Sequence, residues 1–220
     1  MRATIAVVAV IPFYGVERPD LFAIERRAMD RPGRVIEALA AGLPRRGSVV
    51  DAGAGGGFTA LRLMTLERVV YPAELSSAMI RRDRALPWIQ AEAEHLPFAD
   101  GTLDAAYATW AYFFSRGPAP EPGLRELHRV VRPGGPLLIV ENLGGDESCA
   151  LASEDITADL SFWDARGFAC EVIETCFEFA NSGEARTLLE FYFGERGAEG
   201  AAQRLSFRVG LFSSISRGPR

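Results

Sequence analysis

The 220-residue chain predicts an α/β fold, a mostly parallel sheet covered by helices on both faces. Three observations predict it. Short apolar runs alternate with helical stretches along the whole chain. The first run, Val49-Val50-Asp51, passes into glycines at 53, 55 and 57 before a helical pattern starts at Phe58. The second run ends in a carboxylate, Glu74, 23 residues after Asp51, near where doubly wound nucleotide folds place the acid that grips ribose hydroxyls.

The elements follow in order. Pro19 and Asp20 precede a helix over 21–29, and a second helix over 35–41 stops at Gly42 and Pro44. Strands are expected at 48–52, 69–71, 87–90, 103–109 and 136–141, then at 168–179 with a bulge or break, and at 204–213. Pro72 lies two residues before Glu74 and suits only a strand end or edge. The proline-rich stretch 117–123 is a loop before a helix, which itself breaks at Pro133-Gly134-Gly135; a last helix spans 184–193.

The glycine loop is where the chemistry starts. Its spacing lets the backbone turn sharply, lets a ligand approach without Cβ clashes and aims free N–H groups from the next helix. A dinucleotide fingerprint would need a glycine at position 58, where Phe58 stands. The Asp51-x-Gly53-x-Gly55-x-Gly57 pattern instead places an acid where it can hold a ligand's ammonium group or order the loop's own amides. That favours an amino-acid-bearing nucleoside over NAD.

A third segment, Glu92-Ala93-Glu94-His95-Leu96-Pro97-Phe98-Ala99-Asp100-Gly101, and a fourth, Glu126-Leu127-His128-Arg129-Val130-Val131-Arg132-Pro133-Gly134-Gly135, complete the pattern. Together with the loop, these stations resemble the class I S-adenosylmethionine-dependent methyltransferases, in the broad group related to ubiquinone and menaquinone biosynthesis. The resemblance covers residues 48–142 and implies a Rossmann-like three-layer sandwich with a seven-stranded sheet whose last strand is antiparallel. It implies S-adenosylmethionine as cofactor, with Asp51, Gly53, Ala54, Gly55 and Gly57 around the methionine part. Glu74, with Leu75 beside it, would take the ribose; Glu92, Ala93 and Glu94 would meet the adenine; Thr109 and Trp110 would lie near the sulfonium. Residues 1–45 would form an N-terminal extension and helices acting as a lid, and 46–220 the methyltransferase domain.

The chain departs from the family in carrying Ala91-Glu92 for the common Gly-Asp, and Trp110-Ala111-Tyr112 where histidines often follow the fourth strand. No catalytic base is carried over, although Tyr14, His128 and Glu141 are available. The acceptor is expected above Gly55, between the N-terminal segment and the loops after Thr109 and Glu141, against Phe13, Tyr14, Phe22, Trp110, Tyr112 and Asn142.

Composition narrows the partners. A chain 48% hydrophobic and 24% charged can bury one core unaided. All 24 basic residues are arginines, yet the net charge is −5, which opposes nucleic-acid binding. Arg81, Arg82 and Arg84 read as the solvated face of a helix. Asp/Asn-Pro-Pro-Tyr/Phe and Pro-Cys signatures of nucleic-acid methyltransferases are missing. Cys149, Cys170 and Cys176 lack metal-ligand spacing, so no metal is expected, and Cys170 and Cys176 read as reduced packing residues. The apolar run Ile5–Phe13 is about half a membrane span. A cytoplasmic enzyme with a small-molecule methyl acceptor, no membrane partner and room for a homodimer is the expectation; a nucleic-acid methyltransferase and a non-catalytic cofactor-binding protein are the alternatives.

Overall fold

The computed structural model describes residues 14–111 and 120–218. In chain order the elements are α1 (Tyr14–Glu17), α2 (Pro19–Ala28), α3 (Arg34–Gly42), β1 (Gly47–Ala52), α4 (Phe58–Leu63), β2 (Arg68–Glu74), β3 (Ile89–Gln90), β4 (Ala105–Thr109), α5 (Pro120–Val130), β5 (Pro136–Asn142), a 3-10 turn (Cys149–Leu151), α6 (Leu160–Asp164), β6 (Ala169–Glu178), α7 (Ser182–Glu199) and β7 (Arg204–Ile215). They form one seven-stranded sheet in the order β3-β2-β1-β4-β5-β7-β6. β7 runs antiparallel to both neighbours, and the remaining pairs are parallel. The strand order reverses between β1 and β4, so the loops after these two strands diverge and leave a crevice at their carboxyl ends.

Alternation along each strand splits the core in two. Val49, Tyr107, Leu138 and Val140 pack on one face with Leu21 and Ala28 of α2, Val35 and Leu39 of α3, and Leu188 and Leu189 of α7. Val50, Ala106, Leu137 and Ile139 pack on the other with Leu124 and Leu127 of α5 and with Trp163 and Phe168. Each such leucine, fully buried, contributes about 1.5–3 kcal/mol. The N-terminal helices thus share the sheet's core instead of forming a separate layer.

Several local expectations are corrected. The run 168–179 contains no break: β6 pairs with β7 at every position from Ala169↔Ser213 to Glu178↔Arg204. Its irregular apolar pattern reflects its place at the sheet edge, where the first four residues are exposed. Residues 75–88 form turns, not a helix, so Arg81, Arg82 and Arg84 do not share a helix face. Pro72 pairs with Asp51 on β1, while β3 joins only at Ala73 and Glu74, so the missing N–H costs no ladder bond on that side. Cys176 is buried as expected, but Cys170 is exposed. α7 outruns its expected end, with a sharp kink at Gly194 (φ 59°, ψ −140°). The expectation for Ile5–Phe13 lies outside the described residues, and no described helix is long and apolar enough to cross a membrane.

Candidate active site

The loop after β1 is built by its glycines and by Glu74. Gly53 has φ 72° and a Cβ there would fall 2.7 Å from that of Ala111; at Gly57, with φ 69°, it would fall 2.6 Å from the Trp88 ring. Both positions therefore exclude a side chain for packing reasons. Gly55 differs, because its nearest neighbours, Phe22 and Met79, are 3.8 and 3.9 Å away.

Most of the loop's own amides are committed to the protein, as an ordering acid would require, although the acid is a different one. Gly53 and Ala54 donate to the Ala73 carbonyl at 3.0 Å, and Gly57 donates to that of Ala54. Gly55 donates to Glu74 Oε2 at 2.8 Å, while Glu74 Oε1 accepts from Ser76 at 2.8 Å. Arg84 clasps the loop from outside by donating to the Gly56 carbonyl. The carboxylate that orders the loop is Glu74 and not Asp51.

Asp51 lies beneath the loop, 1% exposed. Both its carboxyl oxygens and the Tyr107 hydroxyl lack a hydrogen-bond partner among the described residues. Burial pushes its pKa up to about 7; the nearby Tyr107 hydroxyl draws it partly back, and the Glu74 charge adds to the rise.

A cavity of ≈ 580 Å³ opens above the loop. Gly53, Ala54, Gly55, Gly56 and Glu74 line one end, with Ala93, Thr109, Trp110, Ala111 and Asn142 beside them. The opposite wall is apolar and comes from sequence-distant elements: Phe22 of α2 and Met29 just after it, Phe177 of β6, Leu189, Phe191, Tyr192 and Phe193 of α7, and Phe207 of β7. The cavity is therefore closed by β6, β7 and α7 as well as by the N-terminal helices and the loops after β4 and β5, a wider enclosure than the sequence implies.

Trp110 marks the junction of the two ends. It holds a left-handed backbone, φ 51°, a conformation that costs about 1–2 kcal/mol in a non-glycine residue. Its Nε1 donates to Asn142 Oδ1 at 2.9 Å and its ring stacks on Phe207 at 6.3 Å. The Arg26 guanidinium lies over the same ring at 5.8 Å and over Phe22 at 5.4 Å. The aromatic ring expected to face a methyl cation thus already faces one cation.

The adenine-side segment is fastened to α5. Arg129 donates to the carbonyls of Phe98 and Leu96 at 2.8 and 3.0 Å and to Asp100 and Glu126, while Glu126 accepts from the Leu96 N–H at 2.6 Å. Two of the four motif stations are thus halves of one hydrogen-bonded clamp.

Of the residues singled out from sequence, Gly53, Ala54, Gly55, Glu74, Ala93, Thr109, Trp110, Asn142 and Phe22 meet at this cavity. Asp51 and Gly57 support it from behind. Leu75 is partly exposed, with its carbonyl accepting from Gln90; Glu92 turns to His95 at 3.1 Å; Glu94 is half-buried. None of these three reaches the lining. Tyr14 opens α1, and Phe13 and Tyr112 lie outside the described residues. Of the three groups available as a base, neither His128, which sits on α5 and accepts from the Arg217 N–H, nor Glu141 lines the cavity. The sequence reading missed Glu25, Arg26 and Met29, although with Phe22 they fall at i, i+3, i+4 and i+7, one face of α2. No cluster able to hold a metal occurs among the described residues.

Residues 50–139 match the methyltransferase domain family. The chain is 37% identical over 95 residues to a demethylmenaquinone methyltransferase of Corynebacterium kroppenstedtii, covering 42% of this chain and 41% of that protein. It is 34% identical over 113 residues to the ubiquinone/menaquinone biosynthesis C-methyltransferase UbiE of Klebsiella pneumoniae, covering 46% and 44%. These matches span less than half the length of either relative. In fold it is similar to an S-adenosylmethionine-dependent methyltransferase structure from Thermotoga maritima, with TM-score 0.57 at 18% identity over 92% of this chain and 96% of that one. Residues 50–139 are therefore similar to the methyltransferase domain family, and the chain shares its fold with solved methyltransferase structures.

Proposed function

We propose that this chain is a methyltransferase that uses S-adenosylmethionine to methylate a small, largely apolar acceptor. The observation that carries the reading is the single cavity running from the bare Gly55 backbone and Glu74 to an aromatic wall. Its volume suits a nucleoside and a small ring side by side.

The residues present fit the cofactor. Each Glu74 oxygen accepts one amide and keeps a second lone pair for a ribose hydroxyl. Gly53, Ala54 and Gly55 would flank the methionine part, with Glu74 and Gly57 holding the loop's shape and Asp51 sealed beneath it. Ala93, and the segment of Glu92 and Glu94, would border the purine; Thr109 and Trp110 would border the sulfonium. The bound cofactor supplies an already activated methyl group. The protein's part is to align the acceptor and exclude water, and orientation of this kind lowers a barrier by roughly 7–11 kcal/mol in favourable cases. No base is assigned.

The relatives' names favour a quinone-like ring as acceptor, and the aromatic wall suits one. Of the division into an N-terminal lid over 1–45 and a domain over 46–220, the lid role would fall to the cavity side of α2, since Phe22 overhangs the loop while α2 and α3 share the sheet's core. A cytoplasmic enzyme, homodimeric or monomeric and without nucleic-acid partners, belongs to the same proposal.

The test is calorimetry with S-adenosylhomocysteine, followed by transfer of labelled methyl from S-adenosylmethionine to demethylmenaquinone and other small rings. Wild type is expected to bind, and Gly55→Val to bind at least about 100-fold more weakly, since its side chain would project into the cavity. Tight binding by that variant, or binding of NAD alone, would end the proposal.

A further inference from the structure

A second, smaller recess of ≈ 170 Å³ adjoins the main cavity, and the two share Arg26, Met29, Phe58, Thr59 and Trp110 in their walls. Four arginines line it, Arg26, Arg27, Arg31 and Arg62, against one acid, Asp30. In a chain of net charge −5 this is a concentration of the opposite sign.

The counter-charges are unevenly spread. Arg27 pairs with Glu184 at 3.0 Å and Arg26 with Glu25 at 3.2 Å. Asp30 is occupied otherwise: one oxygen caps α3 at the Val35 N–H and the other accepts from Thr175. Arg31 and Arg62 have no ion pair among the described residues, and the buried Arg26 Nε has no hydrogen-bond partner. Arg27, Arg31 and Arg62 are exposed, but they are not scattered. Here Arg62 lies over Phe58 at 5.4 Å and Arg26 over Trp110 at 5.8 Å, so aromatic faces hold two guanidiniums at the recess. Guanidinium donors in this arrangement suit a carboxylate or phosphate.

Resting on the methyltransferase reading, we infer that the acceptor carries an anionic group, which this recess takes while the acceptor's apolar body lies in the main cavity. That narrows the substrate from an apolar ring to an acid-bearing one, and makes Arg31 and Arg62 residues of specificity.

Two fluorescent probes with one aromatic body separate the terms: 8-anilino-1-naphthalenesulfonate, which carries an anion, and neutral N-phenyl-1-naphthylamine. The double variant Arg31→Gln/Arg62→Gln is expected to bind the sulfonate about tenfold more weakly, the size of one charge-assisted contact at a half-exposed site. It should bind the neutral probe as wild type does, and Arg186→Gln, whose arginine lines neither cavity, should change neither. Equal responses of the two probes, or an equal loss with Arg186→Gln, would overturn the inference. Calorimetry of the double variant with S-adenosylhomocysteine and 5′-deoxy-5′-methylthioadenosine locates the anion: unchanged affinity for both supports the acceptor, whereas loss confined to S-adenosylhomocysteine assigns the recess to the cofactor's tail and overturns the proposal. Failure of wild type to bind S-adenosylhomocysteine at all would refute the methyltransferase reading without touching the probe result.

Discussion

The two ends of the cavity are built on different physics. At the glycine-loop end, backbone groups are fixed by short-range hydrogen bonds: Gly55 to Glu74, Ser76 to Glu74, and the 96–100 segment to Arg129. At the far end, aromatic side chains from α2, β6, α7 and β7 meet by packing, with few polar ties. A backbone cradle tolerates little change, because one displaced amide loses its partner. A wall of rings can exchange shape for shape at modest cost. One end suits a constant ligand and the other a variable one.

The largest expected effect breaks the polar end from outside the cavity. Arg129→Leu removes the donors to Leu96, Phe98, Asp100 and Glu126 and leaves the Glu126 carboxylate, 11% exposed, without its cation. A loss of about 3 kcal/mol is expected, since breaking a largely buried pair costs roughly 3–5 kcal/mol and Arg129 is partly solvated. Urea unfolding measures it. A loss under about 0.5 kcal/mol, the range of ordinary surface substitutions, would show that the motif stations are not held by this clamp.

Legibility in the sequence divides along the same line. Asp51, the glycines, Glu74, Leu96–Gly101 and Glu126–Arg129 were readable because backbone cradles need particular residues at fixed local spacings. The far wall was not, because Phe177, Leu189 and Phe207 become neighbours only through the β6–β7 register and the packing of α7. Arg26 sits between these cases: its face of α2 had the right period, but only the fold shows that Phe22 and Trp110 flank it. The loop-ordering role fell to the other carboxylate for a similar reason. Asp51 precedes the loop in sequence, yet β2 brings Glu74 to the amide and leaves Asp51 sealed below.

That sealed acid makes the polar end sensitive to pH. Its folded pKa, about 7, is raised above the ordinary aspartate value of 3.8 chiefly by burial. The folded state therefore binds more protons than the unfolded chain between these values, so this group's stabilising contribution is complete at low pH and is lost as pH rises through 7. Wild type is expected to lose on the order of 1–3 kcal/mol between pH 5 and pH 8, and Asp51→Asn to lose much less. Thermal melts across that range decide the point; parallel curves for the two proteins would mean that Asp51 is already ionised in the folded state.

The smallest effect sharpens the contrast most. Phe191 lines the far wall and is 42% exposed, so Phe191→Ala should leave the fold intact and remove part of the acceptor's contact surface. N-phenyl-1-naphthylamine is expected to bind roughly fivefold more weakly, equivalent to about 1 kcal/mol, while S-adenosylhomocysteine affinity stays at the wild-type value. Gly55→Val should show the reverse pattern, losing the nucleoside and keeping the probe. Each variant controls for the other, since a general loosening of the cavity would weaken both ligands in both proteins. If the two losses instead travel together, the ends are one cooperative site, and the division between a fixed backbone cradle and an adaptable aromatic wall has no energetic meaning.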